Sequence, residues 1–335
     1  MAPAVTFFKP SEIIDFYEDG QFTHGCSVDH VIFQFDTNLT GSQTPKDIKV
    51  KNDVKNRFDI TLENAEVFFK ETRSIKDHFV PIGVIQGWSP DSMAKATESL
   101  INIGYDYIAL GGMVPQPADS IHMALSKITS KFKTNTKLHL LGFGKIERIR
   151  EFYKYNLYSI DTTSPLLRAF KDKKMNLFMP GDKKNILNYY TALRIPQSTE
   201  NRNLMKLIKQ NYVSYDEVHQ KENKVLNSLR KYDSGKLALK ETLSDLMDYT
   251  KIVYIDPNYP EKNNSEKLDN LNEEYKHTLE NMPWKQCKCN VCQKCGIEMA
   301  IFRGSNRNKR RGIHNLFVFH NALSKISKKY YEKIN

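Results

Sequence analysis

The sequence predicts an α/β fold of the (β/α)8 TIM-barrel type, and three features of its 335 residues carry that expectation. Short apolar runs alternate with segments of helical period through the first half, and strands that pair in parallel need a helix to return the chain. The runs end in polar residues or glycine (Asp29 or Asp36, Gln86, Gly111–Gly112, Gly144, Asp161), as in barrels whose C-terminal strand ends carry the chemistry. No G-x-G-x-x-G opens a helix, which removes the main sign of a dinucleotide-binding open sheet.

Strands are expected at "THGCSVD" running into "HVIFQFD" (23–36), "VPIGVIQG" (80–87), "DYIALGG" (106–112), "KLHLLGFG" (137–144) and "LYSID" (157–161). A helix is expected from Thr61, with Glu63 in its first turn. In "SPDSMAKATESLINIG", Ser89 can cap the first amides, Pro90 takes the first helical position, and Gly104 stops the helix. "ADSIHMALSKITSKF" and "IERIREFYKYN" complete the helices of the first half. Beyond about residue 172 the chain is rich in Lys, Asn and Glu. "SYDEVHQKENKVLNSLRKY" and "GKLALKETLSDLMDYTKIVYI" have helical period there, and "DPNYPEKNNSEKL" (256–268) reads as a loop. The expected organisation is part of a barrel over 1–171, a mainly helical insertion over 172–283, and a metal-binding segment with a C-terminal helix over 284–335.

Hydrophobic residues make up 40% of the chain, with 18 Phe and 17 Tyr, which excludes a disordered polymer. No apolar run approaches the roughly 18 residues of a membrane span, and the N-terminus lacks the basic start and apolar stretch of a secretory leader. A cytoplasmic, reducing setting without a membrane partner is expected. The net charge of +11 favours a polyanionic partner, nucleic acid foremost. "RGSNRNKRR" places Arg303, Arg307, Lys309, Arg310 and Arg311 together, and phosphate contact is the expectation for them: such contacts position a strand and do not read it.

Four of the five cysteines fall in "WKQCKCNVCQKC". In a reducing compartment such clustering points to a metal before a disulfide. Cys287, Cys289 and Cys292 supply three thiolates from one tight turn, the donor set of a structural Zn2+ site. The fourth ligand is Cys295 or a histidine of "RRGIHNLFVFH", His314 or His320.

A strand ending in Asp, then "GVIQG", "DYIALGG", "LHLLGFGK", "SIDTTSP", the C-x-C-x-x-C and a downstream "HN" follow in that order. Together they resemble the tRNA-guanine transglycosylase (queuine tRNA-ribosyltransferase) superfamily, over about 23–171 and 284–323. The resemblance implies a zinc-bearing (β/α)8 barrel that exchanges a guanine of nucleic acid for a 7-deazaguanine base. "GCSVDHVIF", "SIDTTSPLLRAFKD", "ALRIPQ" and "FRGSNRNKRRGIHNLFVFH" look most like the DNA-modifying branch. That branch implies replacement of guanine in DNA by preQ0 (7-cyano-7-deazaguanine). The alternatives are a tRNA enzyme and a non-catalytic nucleic-acid-binding subunit.

By the same resemblance Asp161 matches the nucleophile, a carboxylate suited to a covalent glycosyl intermediate. Gln86 matches the base-reading glutamine, whose amide both donates and accepts. Gly111 and Gly112 match the backbone beneath the base, where a missing side chain permits close approach. The carboxylate that accepts from the base is Asp29, which fits the spacing from the preceding glycine better, or Asp36, which ends the more apolar run. Arg168, just after the nucleophile, is placed to clamp a phosphate near the scissile bond. A target base in a duplex must be extruded to reach such a pocket.

An early strand of the family ends in Asp-Ser-Gly, whose Asp serves as acid or base on the exchanged base. Nothing at that place corresponds here: the Asp-Ser steps of "PDSM", "ADSI" and "YDSG" fall elsewhere in the order. "PSEIIDFYEDG" looks like the helix that follows the motif. On that resemblance about the first three barrel strands are expected to be lacking, with three explanations open: the sequence is a fragment, a separate chain supplies the rest, or the N-terminal residues have been reworked.

Overall fold

Five strands form a parallel sheet in the order in which they occur along the chain: β1 (His24–Cys26), β2 (Val80–Ile85), β3 (Tyr107–Leu110), β4 (Lys137–Leu140) and β5 (Leu157–Ile160). The computed structural model describes residues 9–75, 79–113, 115–182, 184–260 and 264–331. It divides into two units, Met1–Thr162 and Thr163–Asn335.

In the first unit, α1 (Pro10–Asp19) precedes β1, and α2 (Ile48–Glu71), α3 (Pro90–Ile103) and α4 (Ala118–Thr129) return the chain between strands. The sheet is curled. The Tyr107 hydroxyl on β3 hydrogen-bonds the Ser159 hydroxyl on β5 across the intervening β4, whereas alternate strands of a flat sheet lie about 9.6 Å apart. Sequential parallel strands, crossover helices and this curl make the unit part of a (β/α) barrel. Val84, Tyr107 and Ala109 form a buried cluster on the sheet with Ile82, flanked by Cys26 and Leu141.

The local expectations hold for α3, where Ser89 Oγ accepts from the Ser92 amide, Pro90 opens the helix and Gly104 takes φ +123°. Three others are corrected. The helix expected from Thr61 begins at Ile48, because the Asp47 side chain caps it, accepting from Lys49 and Val50. "HVIFQFD" is irregular and not a strand. Its amides go elsewhere: His30 N–H to Thr61 Oγ1, Ile32 N–H to Gln86 Oε1 and Asp36 N–H to the Trp88 carbonyl, leaving no ladder. "IERIREFYKYN" forms 3-10 turns over Ile146–Glu151 and Tyr153–Tyr155, a tighter winding in which residues three apart eclipse, as Arg148 and Glu151 do in their ion pair.

The second unit opens with α5 (Ser164–Lys171) and an antiparallel hairpin of β6 (Leu177–Pro180) and β7 (Leu187–Tyr190), which the reading of 172–283 as mainly helical did not foresee. β8 (Leu193–Arg194) pairs in parallel with the distant β9 (Ile301–Phe302). Between them run α6 (Arg202–Lys209), α7 (Tyr215–Asp233), α8 (Leu239–Val253), α9 (Ser265–Asn281), α10 (Pro283–Gln286) and α11 (Asn290–Cys295); α12 (Ser305–Tyr331) follows β9. Leu204, Val218, Val225, Leu229, Leu246, Tyr249 and Leu279 are buried along these helices, at the helical spacing that puts one face inward.

Candidate active site and metal centre

The strand ends of the first unit gather four of the expected residues. Gln86, two residues past Val84 on the same face of β2, is buried at 1% exposure. Its Nε2 donates to Asp29 Oδ2 at 2.6 Å, and its Oε1 accepts the Ile32 amide at 3.1 Å. Both ends of the amide are thereby fixed, which assigns oxygen and nitrogen without ambiguity. Gly111 and Gly112 lie against it. A Cβ at Gly111 would come within 2.4 Å of Gln86 Nε2, and Gly112 adopts φ +72° with Gln86 Oε1 3.0 Å from where a Cβ would stand. Here glycine is required for close approach and, at 112, for the left-handed backbone.

Burial raises the Asp29 carboxyl above its ordinary range, against the hydrogen bond from Gln86. Asp36 lies apart from this group. It is exposed and closes a turn of its own, Oδ1 accepting the Asn38 amide at 2.9 Å.

Asp161 stands just past β5. Its Oδ1 accepts the Gly142 N–H at 2.8 Å and lies 3.2 Å from His139 Nε2. Burial pushes the Cys26 thiol up to about 12, and the negative charges of Asp29 and Asp161 add to the rise. Four flat strand spacings would separate the ends of β1 and β5 by about 19 Å, and the curl that brings Tyr107 to Ser159 shortens that span. His139, Ser159, Tyr107 and Cys26 carry no motif and were not singled out from the sequence. Their only signal there is that 137, 139 and 141 share one strand face with an Asp-ended neighbour.

In the second unit Cys287, Cys289, Cys292 and His314 place their ligand atoms within 4.8 Å of one another, all four buried. His314 Nδ1 lies 3.4 Å from Cys289 Sγ and 3.3 Å from Cys292 Sγ, near the ~3.6 Å expected between S and N ligands of a tetrahedral zinc site with arms of about 2.3 and 2.0 Å. The turn is preformed: the Cys289 amide donates to Cys287 Sγ and the Cys292 amide to Cys289 Sγ. Hydrogen bonding between Cys287 and Cys292 draws the first thiol below its ordinary value and pushes the second above it, as in a pair that shares one proton. His314 Nε2 donates to the Phe178 carbonyl at 2.6 Å, so the Nδ1 lone pair faces the sulfurs. These residues could hold a metal ion, with His314 as fourth ligand. Cys295 lies outside the group, half-buried.

Asn315 completes the work of the "HN" pair. Its Oδ1 accepts the Phe178 amide, and its Nδ2 donates to the Pro165 and Asn176 carbonyls. The "YDSG" aspartate is structural: Asp233 accepts from Trp284 Nε1 and from the Ile297 amide, anchoring both sides of the cysteine turn.

The basic run divides. Arg311 is corrected: it is fully buried, donating to the Ile301 and Ala169 carbonyls and to Asn308 Oδ1, so it cannot reach a phosphate. Every third or fourth residue of a helix faces inward, and 311 falls on that face of α12 with 314 and 315. Arg303 pairs with Glu222, and Arg307 with Glu298. Lys309 and Arg310 are exposed, with no ion pair among the described residues. Arg230, Arg303, Arg307 and Arg310 border one cavity of about 730 Å³ at the start of α12. Arg168 sits over the rings of Phe178 and Tyr189, 5.1 and 4.5 Å from their centroids, and bonds Asp172.

No family model matches the chain. Over 319 residues it is 34% identical to the DNA-guanine transglycosylase of Salmonella montevideo, a match covering 94% of this chain and 71% of that protein. The chain belongs to the guanine transglycosylase superfamily. Queuine tRNA-ribosyltransferases of Mannheimia succiniciproducens and Haemophilus influenzae are each 27% identical over 121 residues, 33% of this chain and 32% of their own length. Guanine transglycosylases are pentosyltransferases that act on nucleic acid, and the chain shares that enzyme class. Among its described residues no helix is long and apolar enough to cross a membrane.

Proposed function

We propose that this guanine transglycosylase replaces guanine in DNA with a 7-deazaguanine base, preQ0, through a covalent glycosyl intermediate on Asp161. The observation that supports this most is the Asp29–Gln86–Gly111–Gly112 group at the strand ends of the same curled sheet that carries Asp161 just past β5. The second N–H of the Gln86 amide and the Asp29 carboxyl oxygens are the donor and acceptor atoms offered to a guanine edge, beside the Gly111–Gly112 turn against which Gln86 itself packs.

An Asp161 oxygen attacks C1′ of the deoxyribose as the C1′–N9 bond breaks, and the electron pair leaves with the purine, which takes a proton at N9. The incoming base gives up its N9 proton, forms the new C1′–N bond and restores the carboxylate. Zinc on Cys287, Cys289, Cys292 and His314 would brace the fold of the second unit and take no part in this exchange. Arg310 and Lys309 contact phosphates of the nucleic acid. The tRNA relatives favour a second reading, exchange in tRNA. Among the described residues β1 pairs only with β2, and β5 only with β4; further strands, from this chain or a separate one, would dock on those edges.

Exchange of labelled guanine into duplex DNA and into tRNA tests the proposal. Incorporation into DNA, abolished in Asp161→Ala, is the expected result. Incorporation into tRNA alone selects the second reading, and binding without exchange in either would make the chain a non-catalytic subunit.

A further inference from the structure

We propose that His139 is a positioning residue for Asp161, itself locked by Ser159 and Tyr107; the inference rests on Asp161 being the nucleophile. Asp161 Oδ1 is held twice, by the Gly142 N–H and by His139 Nε2, at 2.8 and 3.2 Å. Both bonds fall on Oδ1, and among the described residues none falls on Oδ2, the oxygen left to attack. The carboxylate is 55% exposed while the imidazole behind it is only 12% exposed. A reactive atom therefore faces solvent while its support is enclosed.

The direction of the hydrogen bonds follows from what each group can do. An ionised carboxylate only accepts, so His139 Nε2 must carry the proton. Burial holds the imidazole below its ordinary pKa, against the pull of Asp161, so the ring is neutral and Nδ1 must accept. Its partner is the Ser159 hydroxyl at 2.5 Å, and Ser159 in turn accepts from Tyr107. Tyr107, Ser159, His139 and Asp161 thus form one chain of donors in which a single tautomer satisfies every member. Three strands contribute, β3, β4 and β5, so the ring is fixed by the sheet itself and not by a loop.

A neutral donor suits a nucleophile. It orients the carboxylate without cancelling its charge, which an imidazolium would do. Attack on C1′ needs the oxygen within about 3–3.5 Å along a defined line. A carboxylate free to rotate about its Cα–Cβ–Cγ bonds would spend most of its time elsewhere. His139 therefore acts on the chemical step and leaves recognition of the base to Gln86 and Asp29.

The test is steady-state guanine exchange with His139→Phe, His139→Gln, Ser159→Ala and Asp161→Ala. His139→Phe is expected to lower kcat by about 10- to 100-fold with KM for the base within about twofold. His139→Gln, whose amide keeps an N–H donor, should recover most of the loss, and Ser159→Ala should fall between. Inactive Asp161→Ala beside fully active His139→Phe overturns this proposal alone. So does a loss confined to KM, or a Gln variant as poor as Phe when both melt at the wild-type temperature. An Asp161→Ala protein that still exchanges guanine overturns the nucleophile reading and this one with it.

Discussion

Asp29 shows how one side chain can serve the site at the expense of the fold. Burial raises its carboxyl above the ordinary 3.8, so the native state holds that proton to higher pH than the unfolded chain does. Stability then falls as pH rises from the ordinary value through the raised one. An asparagine in its place would keep an acceptor for Gln86 and carry no charge. Asp29→Asn is expected to melt no lower than wild type at pH 7, and to lose the part of the pH dependence just described, while guanine exchange drops by at least about tenfold. Thermal melts from pH 4 to 8 beside an exchange assay check both halves; a clearly lower melting temperature at pH 7 would refute the burial argument. Among single residues the sequence was informative where a motif fixed the backbone, as at Gln86 and Gly111–Gly112. It was silent at His139 and Ser159, because their meaning lies in pairing across strands 20 residues apart. Spacing favoured Asp29 over Asp36, and the structure brings only Asp29 to the Gln86 amide, while Asp36 closes a turn of its own.

Elements were legible where local chemistry decided them. Ser89, Pro90 and Gly104 marked α3 to the residue, and the C-x-C-x-x-C marked the turn that brings Cys287, Cys289 and Cys292 together with His314. The β6–β7 hairpin escaped notice because its residues are held by Asn315 and His314, more than 130 positions away. The same contacts join the cysteine turn to that hairpin: His314 Nδ1 faces the Cys289 and Cys292 sulfurs, where a bound metal would fix the ring, and Nε2 holds the Phe178 carbonyl. Cys289→Ser should therefore release the zinc, about one per chain in wild type, and lower the melting temperature by at least about 5 °C, which is roughly 2 kcal/mol for a unit of this size. Elemental analysis and calorimetry read the two effects; metal content equal to wild type would dismiss the site.

At the scale of the whole molecule, the +11 charge predicted a polyanionic partner but not which cations would meet it. Ion pairing occupies Arg303 and Arg307, burial removes Arg311, and Arg310 is left at the edge of the cavity that starts α12. Binding to duplex DNA should weaken linearly in log–log form with salt, by about 0.9 per phosphate neutralised. Arg310→Ala should reduce that slope by about one, measured by fluorescence anisotropy across a salt series; an unchanged slope removes Arg310 from the interface. The barrel character was legible from strand–helix rhythm. The curl was not, since it is expressed only in contacts such as Tyr107 to Ser159.

The clamp on Phe178 also sets an order of events at the ribosome. The hairpin is synthesised by residue 190, but the imidazole and amide that secure it arrive at 314 and 315. At 5–20 residues per second that interval of about 120 residues lasts roughly 6–25 s. Through that time the Phe178 amide and carbonyl lack the side chains that close on them, so this part of the second unit completes its packing only once α12 has begun to emerge.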